Sequence, residues 1–338
     1  MIDGGWRGPA GQNARVEHGG LGTSMAAGPV VLDGGLATEL ERRGHDVTGA
    51  LWSARLLRDD PRAIVDAHAA YLAAGARVLT SASYQASFDG FAAAGVDGDR
   101  AAALMQLSVE LARTAIREAG LVGRAWVAAS VGPYGAALAD GSEYTGAYAG
   151  ELTAADLRRW HRRRIDVLVA AGPDLLACET VPALAEAQAL SEELARVTVP
   201  GWIGLTTVTG DDGRVFTRRG EDAAAAFALA RGTGGPLAVG VNCTAPEGVR
   251  AAVVLAAQES GKPVVAYPNS GETWHAPTRS WRGDPQLRSA DVLGWLGAGA
   301  RLVGGCCRVG PEQVAAVSDA VSARPTPEPR PGPAAPAR

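Results

Sequence analysis

Arg301-Leu302-Val303-Gly304-Gly305-Cys306-Cys307 is an apolar run that ends in two adjacent thiols. About sixty residues earlier, Leu237-Ala238-Val239-Gly240-Val241-Asn242-Cys243 ends in a third. Both runs are continuous rather than alternating, which predicts strands covered by helices in a parallel sheet. Both stop at a thiol, at what would be the same end of that sheet. Three thiols converging at one rim make a soft metal site, and zinc is the metal such a set holds best. A single cysteine in an apolar run is ordinarily a small buried hydrophobe. That ordinary reading applies to Cys178, which alternation points away from its neighbour Glu179, so Cys178 is left out of the site.

Working outward, six more runs have the same character: Val30–Gly35, Arg77–Ser83, Ala125–Gly132, Leu175–Thr180, Trp202–Thr207 and Pro263–Asn269. Helical stretches separate them. Asp60-Pro61 reads as an N-cap followed by proline at the first helical position, with the helix running through Ala74 and stopping at Gly75. After Asp99, Leu104, Leu107, Leu111 and Ala115 recur at helical spacing. Thr153 and Asp156 resemble a capping box, and Gly310-Pro311 opens a last helix. Eight strand–helix units predict an α/β protein, a (β/α)8 TIM barrel, over residues 29–321. A doubly wound open sheet is the alternative, but the pattern shows no switch point. Residues 1–28 are Gly-rich and aperiodic, and 322–338 are rich in Pro, Ala and Arg; both read as flexible tails.

The chain has 338 residues, 47% apolar and 20% charged, with a formal net charge of -4. A length of this order suits one barrel. The charge balance lacks a basic stripe and argues against nucleic acid. No run approaches the length of a membrane span, and no secretory signal is visible. The adjacent Cys306 and Cys307 could bridge each other only in a strained ring, so a reduced, cytoplasmic protein is expected.

In such a barrel the site lies at the C-terminal strand ends. These ends carry Asp33-Gly34-Gly35, Tyr84, Glu179, Asn242-Cys243, Asn269 and Cys306-Cys307. A strand-end carboxylate is costly to bury without a cation, so Asp33 and Glu179 are read as meeting a cationic ligand group. The other reading is a structural hydrogen bond to nearby backbone. Gly34 and Gly35 leave room for an anion, which their N–H groups could hold, though any tight turn uses glycines. The aromatic faces of Trp52 and Tyr84 suit a sulfonium or quaternary ammonium, or else simple packing. Gly132-Pro133-Tyr134 and the Asp211-Asp212-Gly213 turn read as loop chemistry.

On these residues the chain resembles the homocysteine S-methyltransferase family from about Val30 to about Ala320. The resemblance rests on Leu32-Asp33-Gly34-Gly35, Ser83-Tyr84-Gln85-Ala86-Ser87, Glu179-Thr180-Val181-Pro182, Gly240-Val241-Asn242-Cys243, Tyr267-Pro268-Asn269-Ser270-Gly271-Glu272 and Gly304-Gly305-Cys306-Cys307. It implies that Cys243, Cys306 and Cys307 ligate zinc and take part in catalysis. It also implies that Asp33, Gly34, Gly35 and Glu179 hold the amino-acid end of homocysteine, with Asn242 among the substrate-binding residues. Trp52 and Tyr84 match positions facing the methyl donor, and Asn269 one that can complete the zinc shell when substrate is absent. The strand-end wording is closer to the branch using S-methylmethionine than to the betaine branch; S-adenosylmethionine is a further sulfonium candidate. The segment 206–219 departs from that branch, which usually has a longer loop there.

The implied reaction moves a methyl group from a charged sulfur to the thiol of homocysteine, giving methionine. Other classes are a betaine-dependent methyltransferase, a non-catalytic zinc-binding barrel and a thiol-redox protein using Cys306 and Cys307. The last two leave Asp33 and Glu179 unexplained. Small-molecule substrates are the expected partners.

Overall fold

Each of the eight apolar runs becomes a strand of one parallel sheet in the computed structural model, which describes residues 20–47, 53–232, 234–275 and 280–323. The strands are β1 (Val30–Val31), β2 (Val78–Thr80), β3 (Trp126–Val131), β4 (Leu175–Val181), β5 (Gly201–Leu205), β6 (Ala238–Asn242), β7 (Val264–Tyr267) and β8 (Ala300–Val303). Their spatial order is β1-β8-β7-β6-β5-β4-β3-β2. The ring closes between β1 and β2 through a parallel bridge of Leu32 with Val78. Two hydrogen bonds secure it, Arg77 N–H to Val31 O at 2.8 Å and Asp33 N–H to Val78 O at 3.0 Å. Closure excludes the doubly wound alternative.

Strand alternation sorts side chains into two cores. Val30, Leu32, Val78, Ala128, Leu175, Ala177, Trp202, Ala238, Val265, Tyr267 and Leu302 pack together inside the barrel. Their neighbours Val31, Leu79, Val127, Leu176, Cys178, Ile203, Val239, Val264 and Val303 face the surrounding helices. Leu21 and Met25 join the interior cluster from the N-terminal side of β1. They stand four residues apart on a helix, Leu21–Ala27, inside the stretch 1–28 expected to be a tail. A seven-residue helix is marginal alone; burying both side chains against the base of the barrel holds it. Residues 1–19 and 324–338 lie outside the described residues.

The helix signals are realised where the sequence places them. Asp60 caps helix Pro61–Ala73 by accepting from Ala63 N–H at 3.2 Å. Thr153 and Asp156 form a reciprocal capping box on helix Ala154–Ala170. Helix Gly98–Glu118 buries Leu104, Leu111 and Ala115, with Leu107 at the margin. Helix Pro311–Ser322 opens at Gly310-Pro311. Two antiparallel hairpins were not anticipated: Thr207–Thr209 with Val215–Thr217, and Thr273–His275 with Ser280–Arg282. Asp211-Asp212-Gly213 forms the tip of the first, Gly213 at φ +79° and Asp212 accepting from Arg214 N–H at 3.0 Å. Among the described residues no helix is long and apolar enough to cross a membrane.

Candidate functional site

Cys243 follows the last residue of β6. Strict alternation along Ala238–Asn242 would turn its side chain outward, toward the helices. A left-handed backbone at Cys243, φ +47°, breaks that alternation. A non-glycine residue in this region is uncommon and costs of order 1 kcal/mol or more. Thr206 holds the peptide by donating its hydroxyl to Cys243 O at 3.0 Å.

The turn after β8 brings the other two thiols. Gly304 N–H donates to Ala266 O at 3.1 Å, Gly305 N–H to Asp33 O at 3.0 Å and Cys306 N–H to Pro268 O at 2.7 Å. The turn is thus pinned to the ends of β1 and β7. A Cβ on Gly305 would lie 2.1 Å from Val309 Cγ1, and one on Gly304 2.6 Å from Leu32 Cβ. Only glycine permits this approach. The result is Cys243 Sγ 2.8 Å from Cys306 Sγ and 3.6 Å from Cys307 Sγ.

The three sulfurs lie within 4.8 Å of one another, the one such cluster of metal-capable groups among the described residues. Two bonds of about 2.3 Å at a tetrahedral angle span about 3.8 Å, close to the Cys243–Cys307 spacing, while the Cys243–Cys306 pair is tighter. All donors are sulfur, a set suited to a soft cation. Hydrogen bonds from Cys243 and Cys306 hold the Cys307 thiol well below its ordinary pKa, and the same contacts push Cys306 up. Cys178 is elsewhere, in the outer core, where burial pushes its thiol to about 12.

Both carboxylates reach the rim. Glu179 shares the inward parity of Leu175 and Ala177. Its Oε1 accepts from Ser130 Oγ, and Tyr267, itself receiving Trp202 Nε1–H at 2.9 Å, hydrogen-bonds to the carboxylate. Burial nonetheless lifts its pKa to about 7. Asp33 accepts from Thr80 N–H at 2.8 Å and from Thr80 Oγ–H at 3.0 Å. Burial pushes it well above the carboxylate range, against those bonds and with the help of the nearby Glu179 charge. Neither carboxylate makes an ion pair among the described residues.

The remaining expected residues divide. Gly35 does not offer its N–H to a ligand: it donates to Val309 O at 3.0 Å. Both glycines also permit close packing, since added Cβ atoms would lie 2.3 Å from Val309 O at Gly34 and 2.6 Å from Cys306 O at Gly35. Asn242 braces the rim, accepting Thr180 N–H at 2.6 Å and donating to Thr180 Oγ1 at 2.8 Å, with Nδ2 4.0 Å from Cys306 Sγ. Asn269 accepts Cys307 N–H at 3.1 Å. Tyr84 is half-buried with its ring against Gly132; burial first, then the Cys243 charge, pushes its phenol well up. Trp52 lies outside the described residues.

Sequence reading passed over Glu143 and Tyr144. They sit on a short 3-10 turn, Ser142–Tyr144, in the connection from β3 to helix Ala154–Ala170. Tyr144 OH is 3.8 Å from Cys307 Sγ. The available signal was length: about twenty residues join these elements, far more than a βα connection needs. Gly132-Pro133-Tyr134 begins this connection and does more than turn. Tyr134 N–H donates to Glu186 Oε1 at 2.7 Å, while Glu186 also takes the Tyr148 hydroxyl and His161 Nε2. Arg164 bonds Gly132 O and His161 Nδ1, which makes Nε2 the protonated nitrogen of that ring. This buried network anchors the connection over the thiols.

A closed barrel with three thiols that could hold a soft metal and two carboxylates without an ion-pair partner among the described residues, all at its C-terminal rim, is the framework of a barrel enzyme. The family model for homocysteine S-methyltransferase matches residues 30–321, and the chain belongs to that family. It is accordingly an enzyme that transfers a methyl group to homocysteine. It is 43% identical over 312 residues to homocysteine S-methyltransferase 4 of Zea mays, covering 88% of this chain and 90% of that protein. It is 39% identical to homocysteine S-methyltransferase YbgG of Bacillus subtilis, covering 84% and 92%. The metallated form of the homocysteine methyltransferase MmuM from Escherichia coli superposes with a TM-score of 0.76 at 40% identity, covering 86% of this chain and 96% of that one.

Proposed function

We propose that Cys243, Cys306 and Cys307 hold one zinc ion, that Asp33 and Glu179 hold the ammonium of homocysteine, and that the methyl donor is a sulfonium. S-methylmethionine is the first candidate and S-adenosylmethionine the second. The observation that carries the reading is the meeting, at one rim, of three soft ligands and two buried carboxylates that lack a cation. The donor assignment rests on the strand-end wording of the sequence.

When bound, zinc supplies the positive charge that removes the homocysteine thiol proton at neutral pH and leaves a position for that sulfur. The chain's own residues do the rest. Thr80 fixes Asp33, and Ser130 with Tyr267 fixes Glu179, so both carboxylates are oriented before substrate arrives. A bound ammonium would favour their ionised forms and bring both pKa values back down. Asn242, Asn269 and the glycines hold the thiols in place. Tyr84, Tyr144 and, by the family resemblance, Trp52 would present aromatic faces to the sulfonium.

In the transfer, the thiolate sulfur of homocysteine attacks the methyl carbon in line. A new sulfur–carbon bond forms as the methyl–sulfonium bond breaks, and its electron pair returns to the donor sulfur. Two opposite charges disappear, so a cleft that excludes water favours the step. S-methylmethionine would thus yield two molecules of methionine. Ligand thiols require reducing conditions, and we assign the enzyme to the cytoplasm.

The test is methyl transfer to homocysteine with each donor in turn, on protein whose zinc content has been measured. S-methylmethionine should be used well and betaine poorly. Equal turnover of the two would overturn the donor assignment, and full activity in metal-free protein would overturn the metal assignment.

A further inference from the structure

We infer that Glu143 binds the ammonium group of the methyl donor, so that the site selects sulfonium compounds that also carry a free amino group. This rests on the sulfonium reading above. Glu143 is 4% exposed, yet its Oε2 has no hydrogen-bond partner and it makes no ion pair among the described residues. Burial raises its carboxyl above the ordinary range, offset in part by backbone N–H groups, and the side-chain charges acting on it are those of Asp140 and Cys307, both negative. A carboxyl buried in such surroundings is held back from ionising unless a cation arrives.

The turn that carries it is built to stay in place. Gly135 lets it lie flush on helix Tyr134–Leu138: a Cβ there would be 2.5 Å from Glu143 N. Arg218, just beyond the hairpin Thr207–Thr217, donates Nε–H to Tyr144 O at 3.1 Å. Tyr144 reaches Cys307, and the charge of Glu143 is felt by Tyr84, which lies beside Cys243. Glu143 therefore borders the face of the thiol cluster lined by the two tyrosines. Asp33 and Glu179 differ from it in each having its own donors, Thr80 for the first and Ser130 with Tyr267 for the second.

The missing partner must donate a hydrogen bond, because an oxygen lone pair is left unmet, and a cationic donor would also offset the negative surroundings. A sulfonium or quaternary ammonium has no N–H; the aromatic faces of Tyr84 and Tyr144 suit those better. An amino-acid sulfonium offers both groups at once, and betaine would leave Oε2 unsatisfied.

The experiment compares S-methylmethionine with dimethylsulfoniopropionate, which keeps the sulfonium and carboxylate but lacks the amino group. Wild-type zinc enzyme should favour the first. Glu143→Gln should raise the KM for S-methylmethionine about 10- to 100-fold, the usual weight of a charge-assisted hydrogen bond. The same variant should leave the KM for homocysteine, zinc content and kcat/KM for dimethylsulfoniopropionate within about twofold, so the donor preference collapses. Glu143→Asp, which keeps the charge, should lose less and covers the case in which the Gln variant does not fold. Equal losses on both donors, a loss confined to homocysteine, or an unchanged KM for S-methylmethionine would each overturn the assignment. Wild-type enzyme that ignores S-methylmethionine would instead overturn the donor reading on which it rests.

Discussion

Glu179→Gln should stabilise the metal-free, substrate-free protein at pH 8 while weakening its hold on homocysteine. Burial lifts the Glu179 carboxyl from an ordinary 4.5 to about 7. The folded state then binds this proton more tightly than the unfolded chain does. Its contribution to stability is fully present below about pH 4.5 and is lost as the pH rises to about 7. At about 1.36 kcal/mol per pH unit, the loss is about 3 kcal/mol. Glutamine does not titrate and keeps a carbonyl to accept the Ser130 hydroxyl, so it escapes that loss. Urea unfolding of both chelated proteins at pH 5 and pH 8 measures the effect. Part of that loss has already occurred at pH 5, so the stability difference, variant minus parent, should grow by about 2.5 kcal/mol between the two pH values. Saturating homocysteine should narrow or reverse it at pH 8, because only the carboxylate is stabilised by an ammonium. Parallel pH dependences for the two proteins would refute the reasoning: Glu179 would then be content without a ligand.

Two further substitutions probe the thiol turn. Cys306→Ser should lose zinc and activity together while circular dichroism still reports the barrel, since both cores are built from apolar side chains and Cys306 only borders the inner one; zinc at full occupancy in that variant would count against Cys306 as a ligand. Gly305→Ala drives a methyl group into Val309, at 2.1 Å from Cγ1, and should cost about 1–3 kcal/mol by overpacking. It should also weaken metal binding by displacing the adjacent cysteines. Val309→Ala in the same chain should restore much of both, and an unperturbed single variant would show that the turn has slack.

How far the sequence carries can be judged at individual residues. Eight apolar runs, punctuated by caps such as Asp60 and Thr153, determined strand count, order and the barrel class, because period and capping are local chemistry. The thiols at Cys243, Cys306 and Cys307, and the inward parity of Glu179, were legible because each stands at a strand end. Tertiary structure alone decided the rest. Cys243 faces the rim only because its backbone turns left-handed, against the alternation that a strand pattern assumes. The Gly35 N–H that sequence offered to a ligand is consumed by Val309, some 270 residues away in the chain, a contact that exists only once the barrel has closed. Leu21 and Met25 look like part of a Gly-rich tail until the barrel base gives them a surface to cover. Glu143 and Tyr144 lie in a connection without periodicity, and only the fold brings them to the thiols. Local patterns encode which elements form; the barrel's closure brings together loops distant in sequence, and the site's chemistry is made from those meetings.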